Sequence, residues 1–122
     1  MLREIEKINQ PPGEERQRWF TDEFFDLFTW HAGDEIVRFQ LTYAKGVGEH
    51  ALTWERDSGY RHHRVDDGEE RSGKHKASPI LVADGPLDGS TLAARFAKES
   101  TAIDQRVAAL VIEKIRQYGG KV

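Results

Sequence analysis

The sequence predicts an α+β fold: an antiparallel β-meander of four to five strands with two C-terminal helices packed on one face. Three observations carry that expectation. Residues 36–43 alternate apolar and polar side chains without a break, glycine-containing turn signals separate several such stretches, and the C-terminal part holds two apolar stripes at helical spacing. Both stripes need an apolar surface to cover, and the meander supplies one.

The strand over 36–43 sends Val37, Phe39, Leu41 and Tyr43 to one face and Arg38, Gln40 and Thr42 to the other, the period-two pattern of a half-buried strand. Ahead of it, Asp22 to Trp30 is rich in aromatics, and Gly33-Asp34 suits a two-residue type II′ turn with glycine first. Extending that turn's register outwards sets Trp30 opposite Val37, Phe28 opposite Phe39, Asp26 opposite Leu41 and Phe24 opposite Tyr43, all on the apolar face. Phe25 and Leu27 then fall on the polar face. Downstream, Leu52 and Trp54 point to the apolar side and Thr53 and Glu55 away from it. A hairpin closed at Ser58-Gly59 pairs Trp54 with His63, Glu55 with His62 and Thr53 with Arg64. The link from Lys45 to His50, with Gly46 and Gly48, reads as a flexible loop.

At the N-terminus, Leu2, Ile5 and Ile8 recur every third residue, which suggests a short amphipathic turn or helix ended by Pro11-Pro12-Gly13. Residues 1–13 are read as a strap or arm, and 14–122 as a single α+β domain. Asp66 to Ser78 has no apolar residue larger than alanine and reads as an exposed loop. Pro79 to Ala83 follows as a short strand whose leading proline favours an edge. A first helix over 90–99 carries Leu92 and Phe96 on one face. A second starts at an Asp104 cap, aligns Val107, Leu110, Val111, Ile115 and Tyr118, and stops at Gly119-Gly120.

Composition excludes several function classes. The chain has no cysteine, so disulfides, thiolate nucleophiles and cysteine-ligated metals are ruled out. No apolar run approaches the ~20 residues of a membrane helix, and the start Met1-Leu2-Arg3-Glu4-Ile5 lacks the basic-then-apolar order of a signal peptide. Cytoplasm is the expected compartment, with no membrane partner. A formal net charge of −3 argues against nucleic acid. Even the basic-looking Arg61-His62-His63-Arg64 opens a stretch to Lys76 in which five Lys/Arg face four Asp/Glu.

Catalytic motifs are mostly rejected on context. Gly46-x-Gly48-x-x-Ala51 has the letters of a dinucleotide fingerprint, but a β-rich segment follows where a helix N-terminus is needed. Asp66-Asp67-Gly68-Glu69-Glu70 lacks the alternating ligands of a calcium loop. No cofactor and no metal is called for. His62 with Glu55, joined by His75, could in principle hold a borderline metal; an ordinary cross-strand charge pair explains the first two as well. Asp26 breaks the apolar pattern of its strand. Either it has a raised pKa or a specific partner, or a bulge turns it outwards. The polar face gathers Arg38, Gln40, Glu55, His62 and Arg64 as candidate ligand-binding residues, with Phe25 and Leu27 as a candidate interface, since large apolar side chains on an open face usually meet something.

The strings Arg18-Trp19-Phe20-Thr21-Asp22-Glu23, Asp26-Leu27, Phe39-Gln40-Leu41, Ala51-Leu52-Thr53-Trp54 and Val65-Asp66-Asp67-Gly68-Glu69 resemble a group of small, functionally uncharacterised bacterial proteins over residues 16–115. The resemblance implies a bacterial, intracellular origin and transfers no activity to any residue. The functional expectation is therefore a non-enzymatic binding or interaction module, homodimeric or with a protein partner. The alternative is a small-molecule- or metal-binding enzyme on the polar face, built around His62, Glu55, Arg64 and Asp26. Single-stranded nucleic acid on the open sheet is a third and weaker option.

Overall fold

The computed structural model describes residues 1–6, 15–46, 48–65 and 88–119. Its elements are β1 (Arg3–Ile5), β2 (Arg16–Thr21), β3 (Phe25–Ala32), β4 (Glu35–Tyr43), β5 (His50–Glu55), β6 (Gly59–Arg64), α1 (Gly89–Glu99) and α2 (Gln105–Gly119). The described strands form one antiparallel sheet in the order β1-β2-β3-β4-β5-β6, each beside its sequence neighbour. The α+β class and the meander are as expected; the sheet has six strands among the described residues, where four to five were expected. The anticipated loop over 66–78 and strand over 79–83 lie outside the described residues.

One added strand comes from the N-terminal segment. Residues 3–5 pair with β2, Ile5 opposite Trp19 and Arg3 opposite Thr21, instead of forming a helical turn. The three-residue spacing of Leu2 and Ile5 misled because the two do different jobs. Leu2 lies before the strand, is wholly buried, and ties its N–H to the Glu99 carbonyl at the end of α1 (2.8 Å).

The turn at Gly33-Asp34 is where the sequence puts it. Gly33 takes φ +65° and Asp34 has no positive φ, so only the first central residue is left-handed, as a type II′ turn requires. Ala32 pairs with Glu35 and His31 with Ile36, but a bulge between Trp30 and His31 then shifts the ladder by one residue. Beyond it Phe25 faces Tyr43, Leu27 faces Leu41 and Thr29 faces Phe39. A one-residue slip exchanges the two faces of a strand. Phe25, Leu27 and Thr29 therefore point into the core at 0% exposure, and Asp26, Phe28 and Trp30 point out of it.

A second register correction affects β6. Gly59, at φ +89°, closes a loop of Arg56, Asp57 and Ser58 instead of sharing a two-residue turn with Ser58. Glycine there provides the left-handed backbone that ends a three-residue hairpin. The ladder becomes Trp54 with Tyr60, Leu52 with His62 and Ala51 with His63. His62 thus shares a face with Leu52, and its expected pairing with Glu55 is lost.

The helices follow their stripes. Leu92, Ala93 and Phe96 of α1 and Val107, Ala108, Val111 and Ile115 of α2 join Phe20, Phe25, Leu27, Phe39, Leu41, Tyr43 and Leu52 in one core cluster. Phe25 and Phe96 meet edge to face at 5.4 Å. Asp88 accepts from the Thr91 N–H (2.9 Å) and Asp104 from the Arg106 N–H (2.8 Å), so each helix begins at a capping carboxylate. With both helices on one side, the other face of the sheet is left to the residues that alternate with the core.

Candidate functional site

Three rows run across that open face. The central one links Ile5, Trp19, Phe28, Gln40, Thr53 and Arg61 through successive register pairs. One flanking row holds Thr21, Asp26 and Thr42; the other holds Trp30, Arg38 and Glu55.

The aromatic side chains of these rows stack on each other. Trp19 and Phe28 lie 5.6 Å apart and 12° from parallel, Phe28 and Trp30 are 6.3 Å apart, and the Arg38 guanidinium sits 4.1 Å over the Trp30 ring. Trp19, Phe28 and Trp30 are half-buried, so this ladder is an apolar ridge that still meets solvent. Trp19 and Phe28 each give one ring face to the other, and Arg38 covers one face of Trp30.

Asp26 anchors one end of the ridge. Its Oδ1 accepts from Thr21 Oγ1 (2.6 Å), from the Trp19 indole N–H (3.2 Å) and from Lys45 Nζ (3.3 Å). Three donors hold this carboxylate in place and fix the indole orientation. The misfit residue of the sequence is thus turned outwards by a bulge and given its partners on the open face.

Of the candidate ligand-binding residues, Arg38, Gln40 and Glu55 share the open face, and Arg38 is registered directly opposite Glu55. His62 and Arg64 do not join them. His62 lies on the helix side, where its Nε2 meets the Tyr43 hydroxyl at 2.9 Å and its ring packs on His50 and Tyr118. Burial, then the neighbouring His50 and His63, push its pKa below the ordinary value. Arg64 ends β6 on that same side, opposite His50. Phe25 and Leu27, expected at an interface, present no surface at all. Glu55 and His62 therefore point to opposite faces of the sheet, and His75 lies outside the described residues. No group of three potential metal ligands occurs among the described residues.

The face's aromatic character escaped the sequence reading because β3 has large apolar residues on both alternations, Phe25 and Leu27 on one and Phe28 and Trp30 on the other. Either set could have been the buried one. The bulge decides, and it leaves no mark in composition.

Comparison with protein-family models, curated proteins and solved structures finds no match for this chain. Among the described residues no helix is long and apolar enough to cross a membrane.

Proposed function

We propose that the chain is a non-enzymatic interaction module of a bacterial cytoplasm that pairs with a second copy of itself through the open face of the sheet. The observation that carries this reading is the contiguous ridge of Trp19, Phe28, Trp30 and Arg38 on the face that the helices leave uncovered. Aromatic residues and arginine are the types enriched where proteins meet.

The face is also complementary to itself. Arg38 stands beside Glu55 and Arg61 lies in the same sheet, so a two-fold axis near these rows sets each Arg38 against the partner's Glu55. Five strand spacings by a six-residue strand give a face of about 24 Å by 20 Å. That footprint, about 480 Å² per partner, belongs with the small protein–protein interfaces, below the ~800 Å² of a standard one.

Single-stranded nucleic acid fits less well. Base stacking needs an open ring face, and here Phe28 lies against Trp19 while Arg38 occupies a face of Trp30. The enzymatic alternative loses its central pair with Glu55 and His62 on opposite sides of the sheet.

Light scattering on size-exclusion fractions tests the proposal. Wild type should run at twice the 14.0 kDa chain mass, and the double variant Phe28→Ser/Trp30→Ser at the chain mass with an unchanged circular dichroism spectrum. A monomeric wild type, or a folded variant that stays dimeric, overturns it.

A further inference from the structure

Away from the open face, the start of β4, the end of β5 and α2 border a shallow, solvent-open hollow of about 440 Å³. Its apolar wall is Ile36, Trp54 and Leu110. Arg106 and Lys114 flank Leu110 at four-residue spacing, so one stripe of α2 sends a cation, an apolar side chain and a second cation to the same opening.

The charges around the hollow are unevenly matched. Arg56 is held by Glu35 at 2.8 Å. Arg106 gives its guanidinium only a long hydrogen bond to the Asp34 carbonyl (3.4 Å), and Lys114 Nζ rests 4.8 Å over the Trp54 ring. Among the described residues neither has a carboxylate within ion-pair distance. The Asp34 carboxylate is the remaining negative group of the lining, so three cations face two anions.

We propose that this hollow binds a small organic anion with a flat apolar body, of the aryl carboxylate class. The flat body lies against Ile36, Leu110 and the edge of Trp54, and the carboxylate takes a bidentate pair of donors from Arg106. Lys114 moves from the indole face to the same carboxylate, trading a cation–π contact for an ion pair screened from water by the ligand. A fully charged phosphate suits the site less, because it would crowd Asp34 and leave the apolar wall wet. The proposal uses α2 and the helix side of the sheet, not the face that carries the aromatic ridge, and stands whether or not the chain self-associates.

Titration of the 15N-labelled full chain with 1-naphthoate, followed by NMR, tests it. The chain has three tryptophans, so three indole N–H signals report separately on the hollow and on the open face. The expected result is movement of the Trp54 indole and of the amides of 34–36 and 106–114, with Trp19 and Trp30 still. Neutral 1-naphthamide should bind at least tenfold more weakly, and Arg106→Gln/Lys114→Gln should lose at least tenfold in naphthoate affinity while keeping a wild-type spectrum elsewhere. The Phe28→Ser/Trp30→Ser variant should bind naphthoate like wild type. Three outcomes each overturn the proposal: no movement at millimolar naphthoate, equal affinity for the amide, or perturbation confined to Trp19 and Trp30.

Discussion

Arg18 gives Nε and Nη2 to the Glu4 carboxylate (2.9 and 2.8 Å) and Nη1 to Asp104 (3.0 Å), so one side chain ties β1 and β2 to the start of α2. All three groups are partly exposed, which tempers the gain by solvent screening. Arg18→Met should cost about 2 kcal/mol, since two charged groups lose their hydrogen bonds; urea denaturation would measure it. The hydrogen bond from Arg18 lowers the pKa of Glu4, and the Arg106 N–H followed by Arg18 lowers that of Asp104. Both contributions are complete above the ordinary values of 4.5 and 3.8 and are lost as pH falls through the folded ones. The variant should therefore show a shallower acid limb than wild type. His62 acts one pH range higher. Its folded pKa lies below the ordinary 6.5, so the unfolded chain holds more protons between the two values and stability drops as pH is lowered across that window. His31, pushed down by burial and then by Arg18 and Arg16, adds to the same loss. His62→Gln, which can still meet the Tyr43 hydroxyl, should reduce the drop in urea midpoint between about pH 7.5 and about pH 5.5. At this scale the sequence named Arg38, Gln40 and Glu55 as neighbours because β4 and β5 alternate cleanly. It misplaced His62 and Arg64 because their hairpin has a longer loop than its letters suggest.

Among the elements, β3 and β6 carry the register errors, and both errors come from the backbone. Period two makes each strand a binary choice of face. In β4 the alternation of Val37, Phe39, Leu41 and Tyr43 with Arg38, Gln40 and Thr42 settles that choice. In β3 both alternations carry large apolar residues, so the turn was the guide to its faces, and the Trp30/His31 bulge overrides it. The start of β6 makes a related test possible. Gly59 has open space around it, so alanine there meets no clash, only a backbone at φ +89° that L-residues rarely adopt. Gly59→Ala should cost about 1–3 kcal/mol from strain alone, read as a lower urea midpoint with the fold retained. For α2, Asp104→Asn should keep much of the cap to the Arg106 N–H and lose the Arg18 ion pair, whereas Asp104→Ala loses both. Denaturation should rank wild type, asparagine and alanine in falling stability, with about 1 kcal/mol due to the cap.

For the molecule as a whole, one core lies between the sheet and two helices, and the helices pack on one sheet face alone. The two aromatic sets of β3 should therefore answer mutation differently. Phe25→Ala opens a cavity beside Phe96 and should cost about 3–5 kcal/mol, seen as a large drop in melting temperature. Trp30→Ser removes a half-buried ring from the ridge and should change melting temperature far less while weakening self-association. Two comparable losses in melting temperature would place both sets in the core. The sequence by itself determined the α+β class, the order of strands before helices, the inward faces of β4, β5 and both helices, and the absence of thiol chemistry. Periodicity and composition are local properties, and those features depend on nothing else. The tertiary structure decided which half of the β3 aromatics is buried, that Asp26 binds Trp19, Thr21 and Lys45, that residues 3–5 extend the sheet, and that a hollow opens between β4, β5 and α2. Each of these follows from how strands align across a bulge or a turn, or from where a helix crosses a sheet. Such alignments are set by contacts between residues far apart in the chain, and no local pattern records them.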